Sequence, residues 1–463
     1  VSQAVLPKYQ GDHCMAEFKT TTWSNSFDKG TGWFVFARRT LSSLLLITLC
    51  PPVAILMWYT CVHLNGSVAE LAQLFSEQGI LGAIYNIWSP VFFGTQTAWT
   101  MIFVFAAFEL FLMKALPGKR FEGPVTPSGN IPVYKANGVA AFCVTLFTFW
   151  LCSYPLGLFD PAIIYKNFGG LLGALNVFSL GFCLMLYIKG RLKPSSSDSS
   201  FTGNFIFDYY WGTELYPRIF GWDVKMFTNC RFGMMGWPVI LLSFAAAQHE
   251  TMGLTDALFV SVALQLIYIA KFFWWETGYL RSLDIMHDRA GFYICWGCLV
   301  WVPAVYTSHS LYMVSNPHTL GLFWSAVIMV CGILAIFTNY WADLQRQTVR
   351  ATDGDCKVWG KKPEVIVGNY VTEAGEKKQS LLLASGWWGV SRHFHYIPEV
   401  LGAFFWTLPA MFDHFLPYFY VVFLAILLTE RAFRDDNRCA FKYGEDWETY
   451  CERVPYKIVP GVV

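Results

Sequence analysis

The sequence predicts an all-α, polytopic membrane protein: a helical bundle with about ten transmembrane helices. Of its 463 residues, 55% are apolar and only 14% are charged, whereas soluble domains carry nearer a quarter charged residues. Many apolar runs reach the roughly 17–25 residues that a helix needs to cross a bilayer. The formal net charge of +1 gives no basic excess, which excludes a nucleic-acid partner.

Ten apolar segments are predicted to span the bilayer. The last two are short, are interrupted by Pro409 and Pro417, and would equally suit a re-entrant hairpin. The predicted spans are 40–64, 88–113, 137–159, 167–188, 232–248, 253–273, 290–313, 319–342, 397–413 and 414–430.

The basic residues test this map independently. Of the 33 Lys and Arg residues, 32 lie on alternate connections or at the ends of adjoining spans, and Lys166 is the exception. Because basic residues are retained on the cytosolic side, this alternation predicts that both termini are cytosolic. The long polar pieces 189–231, 343–396 and 431–463 then face the cytosol, where a water-soluble cofactor would bind. The sequence has no inverted-repeat pattern of the kind that would favour a transporter.

A first cluster of ionisable residues lies within 268–293, at the end of one span and before the next. It contains Glu276, Tyr279, Asp284 and Asp288 among many aromatic residues. In a continuous helix, Asp284 and Asp288 would share one face. The aromatic neighbours favour a closed pocket over a solvated turn, so these residues are candidates for acid–base chemistry.

Further clusters follow on the predicted cytosolic side. Arg346 and Arg350 lie one helical turn apart, and paired guanidinium groups suit phosphate, although a lipid head-group contact is the alternative. Residues 385–399 could stack on an aromatic ring, and 430–450 would suit either a dinucleotide or an amphipathic surface helix. There is no GxGxxG fingerprint or Walker loop, and no obvious third ligand accompanies the two nearby histidines, so neither a Rossmann domain nor a metal site is predicted.

Two long motifs give the chain a recognisable resemblance. GNFIFDYYWGTELYPRIFG (203–221) and ERAFRDDNRCAFKYGEDWETY (430–450) resemble signatures of the sterol reductase family of the endoplasmic reticulum, although Tyr216 stands where that family usually has Asn. The similarity extends over roughly residues 35–463. The stretches most like the members that reduce the C7–C8 double bond of 7-dehydrosterols are 287–303, 352–363 and 385–396.

The resemblance implies an NADPH-dependent enzyme of sterol and cholesterol biosynthesis that protonates the C7–C8 double bond and then transfers a hydride. A sterol Δ14- or Δ24(28)-reductase is the alternative within the family. From other classes, one alternative is an S-adenosylmethionine-dependent membrane methyltransferase, because residues 442–456 of this chain loosely resemble the C-terminal tail of such enzymes. The other is a non-catalytic sterol-binding scaffold. The sterol would enter from the bilayer, in contact with membrane lipids, and association with other sterol-pathway enzymes is expected. The expected location is the endoplasmic reticulum membrane, or the inner membrane if the source is bacterial.

The division of the chain follows from this interpretation. It comprises a cytosolic N-terminal segment (1–39), an N-terminal transmembrane bundle with cytosolic loops (40–231), and a catalytic C-terminal half (232–463) with the sterol pocket and the NADPH site. The proton donor or cation-stabilising groups are expected among Asp435, Asp284, Glu276, Tyr279 and Asp288. Matching motifs imply that NADPH contacts Arg346, Arg350, Leu383, Trp388, His395, Tyr396, Asp435, Cys439, Ala440, Phe441, Lys442, Tyr443 and Tyr450.

Overall fold

The chain folds as a predominantly helical bundle, which confirms the predicted fold class. Its described part contains seven helices that are long and apolar enough to cross a membrane. The other three predicted spans correspond to shorter helices, and residues 1–35 of the predicted cytosolic segment lie outside the described residues. The computed structural model describes residues 36–126, 128–371, 375 and 377–462.

The N-terminal half begins with a π-helix, Ala37–Leu41, that continues directly into the first α-helix. Two helices in this half start at hydroxyl caps: the hydroxyl oxygens of Ser67 and Thr95 accept hydrogen bonds from the amides of Glu70 and Ala98. The elements are α1 (Ser42–His63), α2 (Val68–Trp88), α3 (Gln96–Ala115), β1 (Lys119–Glu122), β2 (Val133–Ala136), α4 (Gly138–Ser153), α5 (Ile163–Lys166), α6 (Phe168–Leu192), α7 (Phe205–Trp211), β3 (Arg218–Ile219) and β4 (Trp222–Asp223).

The C-terminal half begins with the π-helix Met226–Gly233 and contains a second, longer π-helix, Phe292–Tyr306. Two 3-10 turns, Leu408–Ala410 and Leu416–Tyr418, separate its last two apolar helices. The remaining elements are α8 (Met234–Met252), α9 (Asp256–Trp274), α10 (Glu276–Tyr279), α11 (Leu283–Met286), α12 (Ser308–Ser315), α13 (Gly321–Ala351), β5 (Val365–Val371), β6 (Lys377–Leu383), α14 (Trp387–Val390), α15 (Tyr396–Thr407), α16 (Phe419–Tyr443) and α17 (Glu445–Arg453).

The core lies where α6, α8, α9 and the π-helix Phe292–Tyr306 pack together, with α13, α15 and α16 closing one side. Within the described residues, the six strands pair as antiparallel hairpins, β1–β2, β3–β4 and β5–β6. A glycine permits one close approach: a Cβ on Gly173 of α6 would lie 1.6 Å from the carbonyl oxygen of Val91. The hairpins therefore lie on the connections and contribute to smaller buried clusters, and the helices form most of the main core.

Helix α2 occupies a segment that the span map treats as a connection. Glu70 and Glu77 break up its apolar residues, so the segment lacks the continuous apolar run that marks a predicted span. Gly79, with a φ of 69°, interrupts the helix near its middle. A hydropathy pattern detects membrane spans and therefore does not detect a helix of this kind.

The prediction that Asp284 and Asp288 share one helix face is wrong. Helices α10 and α11 are single turns, and Asp288 lies beyond the end of α11. The cause is Lys225, whose buried Nζ donates to the carbonyl oxygens of Asp284, Ile285 and Asp288 at 2.9, 2.6 and 2.8 Å. These carbonyls point at an ammonium group and do not continue a helical hydrogen-bond ladder.

A buried ion pair joins three elements near this connection. An Arg231 Nη2 lies 2.6 Å from Glu276 Oε1, and the two side chains are 0% and 3% exposed. The amide of Gly138, at the start of α4, donates to Glu276 Oε2 at 2.8 Å. Arg231 also donates to Asn137 Oδ1 at 2.8 Å. Glu276 is thus the shared acceptor that joins α4, α10 and the π-helix before α8.

We expect Glu276→Gln to destabilise the fold strongly. The substitution keeps the side-chain shape but leaves the Arg231 guanidinium buried without its counter-charge, which costs about 3–5 kcal/mol. The measurement is thermal unfolding of the detergent-solubilised protein. Glu122→Gln is the matched control, because its pair with Arg120 is 60–74% exposed and should contribute little. Equal melting temperatures for the two variants would contradict a structural role for Glu276.

Candidate functional site

A cavity of about 850 Å³ lies between α9, α13, α16 and the connection that contains α10 and α11. This volume falls in the upper part of the range of roughly 300–1,000 Å³ for small-molecule pockets. Except for Pro124 and Asn229, every lining residue comes from Met234 onward, within the half predicted to be catalytic. Its walls are aromatic and aliphatic at one end and charged at the other.

The apolar end is walled by the π-helix Phe292–Tyr306 and the first turns of α16. Trp301 and Phe423 pack with ring centroids 5.3 Å apart, and Tyr306 and Tyr420 pack at 4.5 Å. Aromatic faces and leucine side chains of α16 complete this end. Such a surface suits a flat, apolar ring system that has left a lipid environment.

The polar end is built on the last turns of α13. The Arg346 guanidinium carbon lies 4.0 Å from the centre of the Trp388 ring, and the Arg350 Nε donates to the carbonyl of Leu381 at 3.2 Å. Trp388 is itself fixed by a 2.7 Å hydrogen bond from its Nε1 to the carbonyl of Ala342. The two guanidinium groups, one turn apart, therefore lie against β6 and α14 at the cavity wall.

The turn before α14 brings its tryptophans against α13. Gly386 has a φ of 63°, and a Cβ there would lie 2.5 Å from Gln345 Oε1. The same oxygen accepts a hydrogen bond from the Trp387 amide at 3.1 Å. Only glycine combines this backbone conformation with so close an approach.

Helix α17 closes the far wall of the polar end. The buried Tyr450 hydroxyl donates to the carbonyl of Leu383 at 3.0 Å, and the Trp447 and Tyr450 rings lie 5.1 Å apart. The Lys442 ammonium lies 3.8 Å from the centre of the Tyr370 ring. Cys439 and Tyr443 face the cavity on the same side of α16. These residues form an aromatic and cationic wall opposite Arg346 and Arg350.

Helix α16 is joined to the α10–α11 connection by a row of arginines on successive turns. Arg431 pairs with the Asp284 carboxylate. Arg434 donates to both oxygens of Asp288, at 2.9 and 3.4 Å.

The third arginine of the row, Arg438, pairs with a histidine. Its Nη1 lies 3.0 Å from His287 Nε2. Because a guanidinium only donates, the His287 Nε2 accepts, and burial lowers the pKa of this histidine well below its ordinary value. His287 is therefore neutral and completes the row as an acceptor.

Asp435, His393 and Tyr396 meet where the two ends of the cavity join. Arg438 Nε donates to Asp435 Oδ1 at 2.8 Å, and the other Asp435 oxygen lies 3.9 Å from His393 Nε2. The His393 ring stacks on Tyr396 with centroids 5.2 Å apart. Burial lowers the pKa of His393 to about 4, opposed in part by the Asp435 carboxylate, so this imidazole is neutral at physiological pH.

A tyrosine–glutamate pair also faces the cavity. The Tyr268 hydroxyl on α9 donates to Glu399 Oε1 on α15, and both side chains line the cavity. Within the described part of the chain, Glu399 forms no ion pair, whereas Asp284 and Asp435 are each paired with an arginine. This carboxyl group is therefore held by a hydroxyl group, whereas a guanidinium holds each of the other two.

Most of the sequence-predicted site residues meet in this one cavity. Those that line it are Tyr279, Asp284, Asp435, Arg346, Arg350, Leu383, Trp388, His395, Tyr396, Cys439, Lys442, Tyr443 and Tyr450.

Four predicted site residues do not line the large cavity. Glu276 is held in its ion pair with Arg231, and Asp288 faces a separate cavity of about 40 Å³. Ala440 and Phe441 lie on the outer face of α16, where the Phe441 side chain is 66% exposed. Because successive residues of a helix are rotated by about 100°, a continuous motif places only some of its residues on the face that lines the cavity. The assigned roles of all these residues stay predictions.

The predicted site residues do not include several that the fold brings to the cavity, although each lies in one of the clusters identified in the sequence: Tyr268, Glu399, Arg431, His393 and Arg438. The arginines could have been found, because they recur with the three- and four-residue spacing of a helix face. Glu399 stands in a predicted span, and an ionisable residue at membrane depth is a candidate by default. The pairing of Glu399 with Tyr268 could not be read from a separation of 131 residues.

The charge balance of the cavity suits a phosphorylated anion. Of the residues that the structure describes, eight Lys and Arg side chains line it against four carboxylates. Three buried polar atoms there have no hydrogen-bond partner in the described part of the chain, namely His393 Nε2, His395 Nδ1 and Arg392 Nε. Among the described residues there is no cluster of three His, Cys, Asp or Glu that could hold a metal ion. A nucleotide held by guanidinium groups and aromatic rings fits the polar end.

The chain matches one protein family over almost its whole length. The model of the ergosterol biosynthesis ERG4/ERG24 family matches residues 39–463. The chain is 55% identical to the 7-dehydrocholesterol reductase of Arabidopsis thaliana over 423 residues, which cover 91% of this chain and 97% of that protein. It is 35% identical to the 7-dehydrocholesterol reductase of Xenopus laevis, with 94% of each chain covered. It is also 34% identical to the Delta(14)-sterol reductase of Methylotuvimicrobium alcaliphilum, covering 91% of this chain and 94% of that protein.

Stability should fall on acidification because two buried histidines at the site are neutral. Burial lowers the pKa values of His393 and His395 to about 4 and about 3, from an ordinary 6.5. Below pH 6.5 the unfolded chain binds protons that the folded chain does not. The contribution of these histidines to the free energy of unfolding is therefore complete above pH 6.5 and declines towards pH 4. Each histidine contributes up to about 1.4 kcal/mol per pH unit in that window.

The measurement is the change in melting temperature between pH 7 and pH 5. His393→Gln should show a smaller change than the unsubstituted protein, because one proton fewer is taken up on unfolding. His249→Gln, at an exposed position on α8, is the control and should leave the change as it is. An identical pH dependence for His393→Gln and the unsubstituted protein would contradict a neutral, buried His393.

Proposed function

The chain belongs to the ergosterol biosynthesis ERG4/ERG24 family of sterol reductases, and from that premise we propose that it reduces the C7–C8 double bond of 7-dehydrosterols with NADPH. The observation that supports this most directly is a single cavity with a cationic polar end and an aromatic apolar end. The relatives named 7-dehydrocholesterol reductase favour the C7–C8 bond. The similarity to a Delta(14)-sterol reductase makes Δ14 reduction the second candidate.

The two ends suit the two reactants. NADPH is a water-soluble polyanion, and the polar end offers it Arg346, Arg350 and Lys442 for phosphates together with the Trp388 and Tyr396 rings. When bound, NADPH supplies the hydride. The sterol is apolar apart from one hydroxyl, so it enters from the bilayer and occupies the aromatic end. We place the reaction at the junction, and the enzyme in the endoplasmic reticulum membrane as a multi-pass protein.

The chain must also supply a proton. A ring diene is too weakly polarised to accept hydride directly, so one of its terminal carbons is protonated first and an allylic cation remains on the sterol. Asp284 and Asp435 are each paired with an arginine. These carboxylates therefore suit stabilisation of the cation better than proton donation.

The Tyr268–Glu399 pair fits the donor role. Tyr268 gives its hydroxyl proton to the sterol carbon and is reprotonated by Glu399, which recovers its own proton from solvent through the polar end. The O–H bond that breaks supplies one new C–H bond, and hydride transfer supplies the other. Each cycle therefore consumes one proton and one NADPH and leaves a sterol with one double bond fewer. The aromatic walls exclude water and face the transient positive charge.

The activity is tested with the purified full chain in proteoliposomes. We expect NADPH oxidation that depends on 7-dehydrocholesterol, with a product two mass units heavier, and much slower turnover of Δ14 and Δ24(28) sterols. Mass spectrometry of the products identifies the reduced bond. S-adenosylmethionine should neither replace NADPH nor protect the protein from thermal unfolding. Preferential turnover of a Δ14 sterol would move the assignment to the second candidate, and NADPH-independent binding alone would indicate a scaffold.

Substitution of the proposed donor pair should reduce turnover without affecting the cofactor. Tyr268→Phe and Glu399→Gln each remove one member of the pair, and positioned acids typically contribute about 10²–10⁴-fold to rate. We expect kcat to fall about 100-fold or more, while the dissociation constant for NADPH, measured by thermal shift, stays the same. Glu430→Gln, an exposed carboxyl on α16, is the control. If both pair variants keep kcat within threefold while the unsubstituted enzyme is active, the donor assignment is wrong and the proposed function stands.

A further inference from the structure

The chain makes a tight hairpin at residues 357–362, between α13 and β5. The Val358 amide donates to the carbonyl of Lys361 at 2.8 Å, and the Lys361 amide donates back to Val358 at 3.1 Å. The two residues in the turn, Trp359 and Gly360, have φ values of 50° and 78°. Positive φ at both positions is type I′ geometry, for which Asn-Gly is usual and a bulky first residue uncommon. The Trp359 side chain is 51% exposed at this tip.

A continuous row of aromatic rings connects this tip to a membrane-spanning helix. Trp359 packs on Trp387 with centroids 5.1 Å apart, Trp387 on Trp341 at 5.7 Å, and Trp341 on Phe337 at 6.0 Å. Phe337 and Trp341 lie on the exposed face of α13, which spans Gly321–Ala351. Since roughly 20 helical residues cross the hydrocarbon core, Trp341 falls near its end, at the level where interfacial tryptophans are enriched.

The hairpin also carries three exposed lysines, Lys357, Lys361 and Lys362. None of them forms an ion pair within the described residues, although Asp353 and Asp355 lie shortly before them. An unpaired basic cluster beside an interfacial tryptophan complements the negative charge of a lipid surface. The hairpin is anchored to the rest of the protein, because Val358 is buried in a cluster with Val349, Leu383 and Trp388.

We propose that the hairpin 357–362 binds the head groups of anionic phospholipids, with Trp359 at the membrane–water interface and the three lysines on the lipid phosphates and carboxylates. The continuity of the aromatic row with the lipid-exposed face of α13 places the surface next to the bilayer, and the local charge selects anionic lipids. This inference concerns lipid binding and does not depend on the reaction that the enzyme catalyses.

The test compares short-chain phosphatidylserine with short-chain phosphatidylcholine, added to the detergent-solubilised full chain. Phosphatidylserine should raise the melting temperature of the unsubstituted protein in a saturable way, and phosphatidylcholine and inorganic phosphate should not. The Lys357→Gln/Lys361→Gln/Lys362→Gln variant should require at least about tenfold more phosphatidylserine for the same shift. Because the three lysines are exposed, its melting temperature without lipid should match that of the unsubstituted protein.

A matched control removes three basic charges from another hairpin on the same predicted side. Lys119→Gln/Arg120→Gln/Lys135→Gln alters β1 and β2 and should keep the full response to phosphatidylserine. Trp359→Ala should weaken the response and Trp359→Phe should largely retain it, because an aromatic ring remains. A triple lysine variant that responds within twofold of the unsubstituted protein would overturn the proposal. So would an equal response to phosphatidylcholine, or a shift reproduced by inorganic phosphate.

Discussion

The arginine row on α16 is the interaction on which the rest of the site depends. Arg431, Arg434 and Arg438 reach Asp284, Asp288 and His287 on a connection that has almost no regular structure of its own. Lys225 fixes the same connection from the other side through three backbone carbonyls. Charged groups buried this deeply are costly unless they are paired, so the pairs hold the connection in one geometry and thereby define a wall of the cavity.

The cavity joins a charged environment and an apolar one. Among the described residues, cationic side chains outnumber anionic ones in its lining, and its apolar end is walled by aromatic rings within the bundle. The row on α16 lies at the border between them, because that helix is apolar in its first turns and charged in its last. A polyanion and an apolar ring system can therefore meet without either leaving its preferred surroundings.

The acidic residues in and near the site differ in the groups that they pair with. Asp284 and Asp435 have guanidinium partners, and Glu276 belongs to a structural ion pair outside the cavity. Glu399 accepts a hydrogen bond from a tyrosine hydroxyl and forms no ion pair with any described residue. Chemically similar side chains thus have different partners, and the fold, not the residue type, decides which partner each one has.

The sequence by itself determined the helical membrane fold, because apolar run length is encoded over short stretches. Local motifs also indicated Arg346, Trp388, Tyr396 and Asp435, which line one cavity in the structure. Only the tertiary structure decided which residues face the cavity. In the folded chain, Glu276 lies outside the cavity in an ion pair, and Ala440 and Phe441 face away from it. Tyr268 is hydrogen-bonded to Glu399. Such pairings join residues more than a hundred positions apart, and helix rotation and long-range packing set them, neither of which leaves a local pattern in the chain.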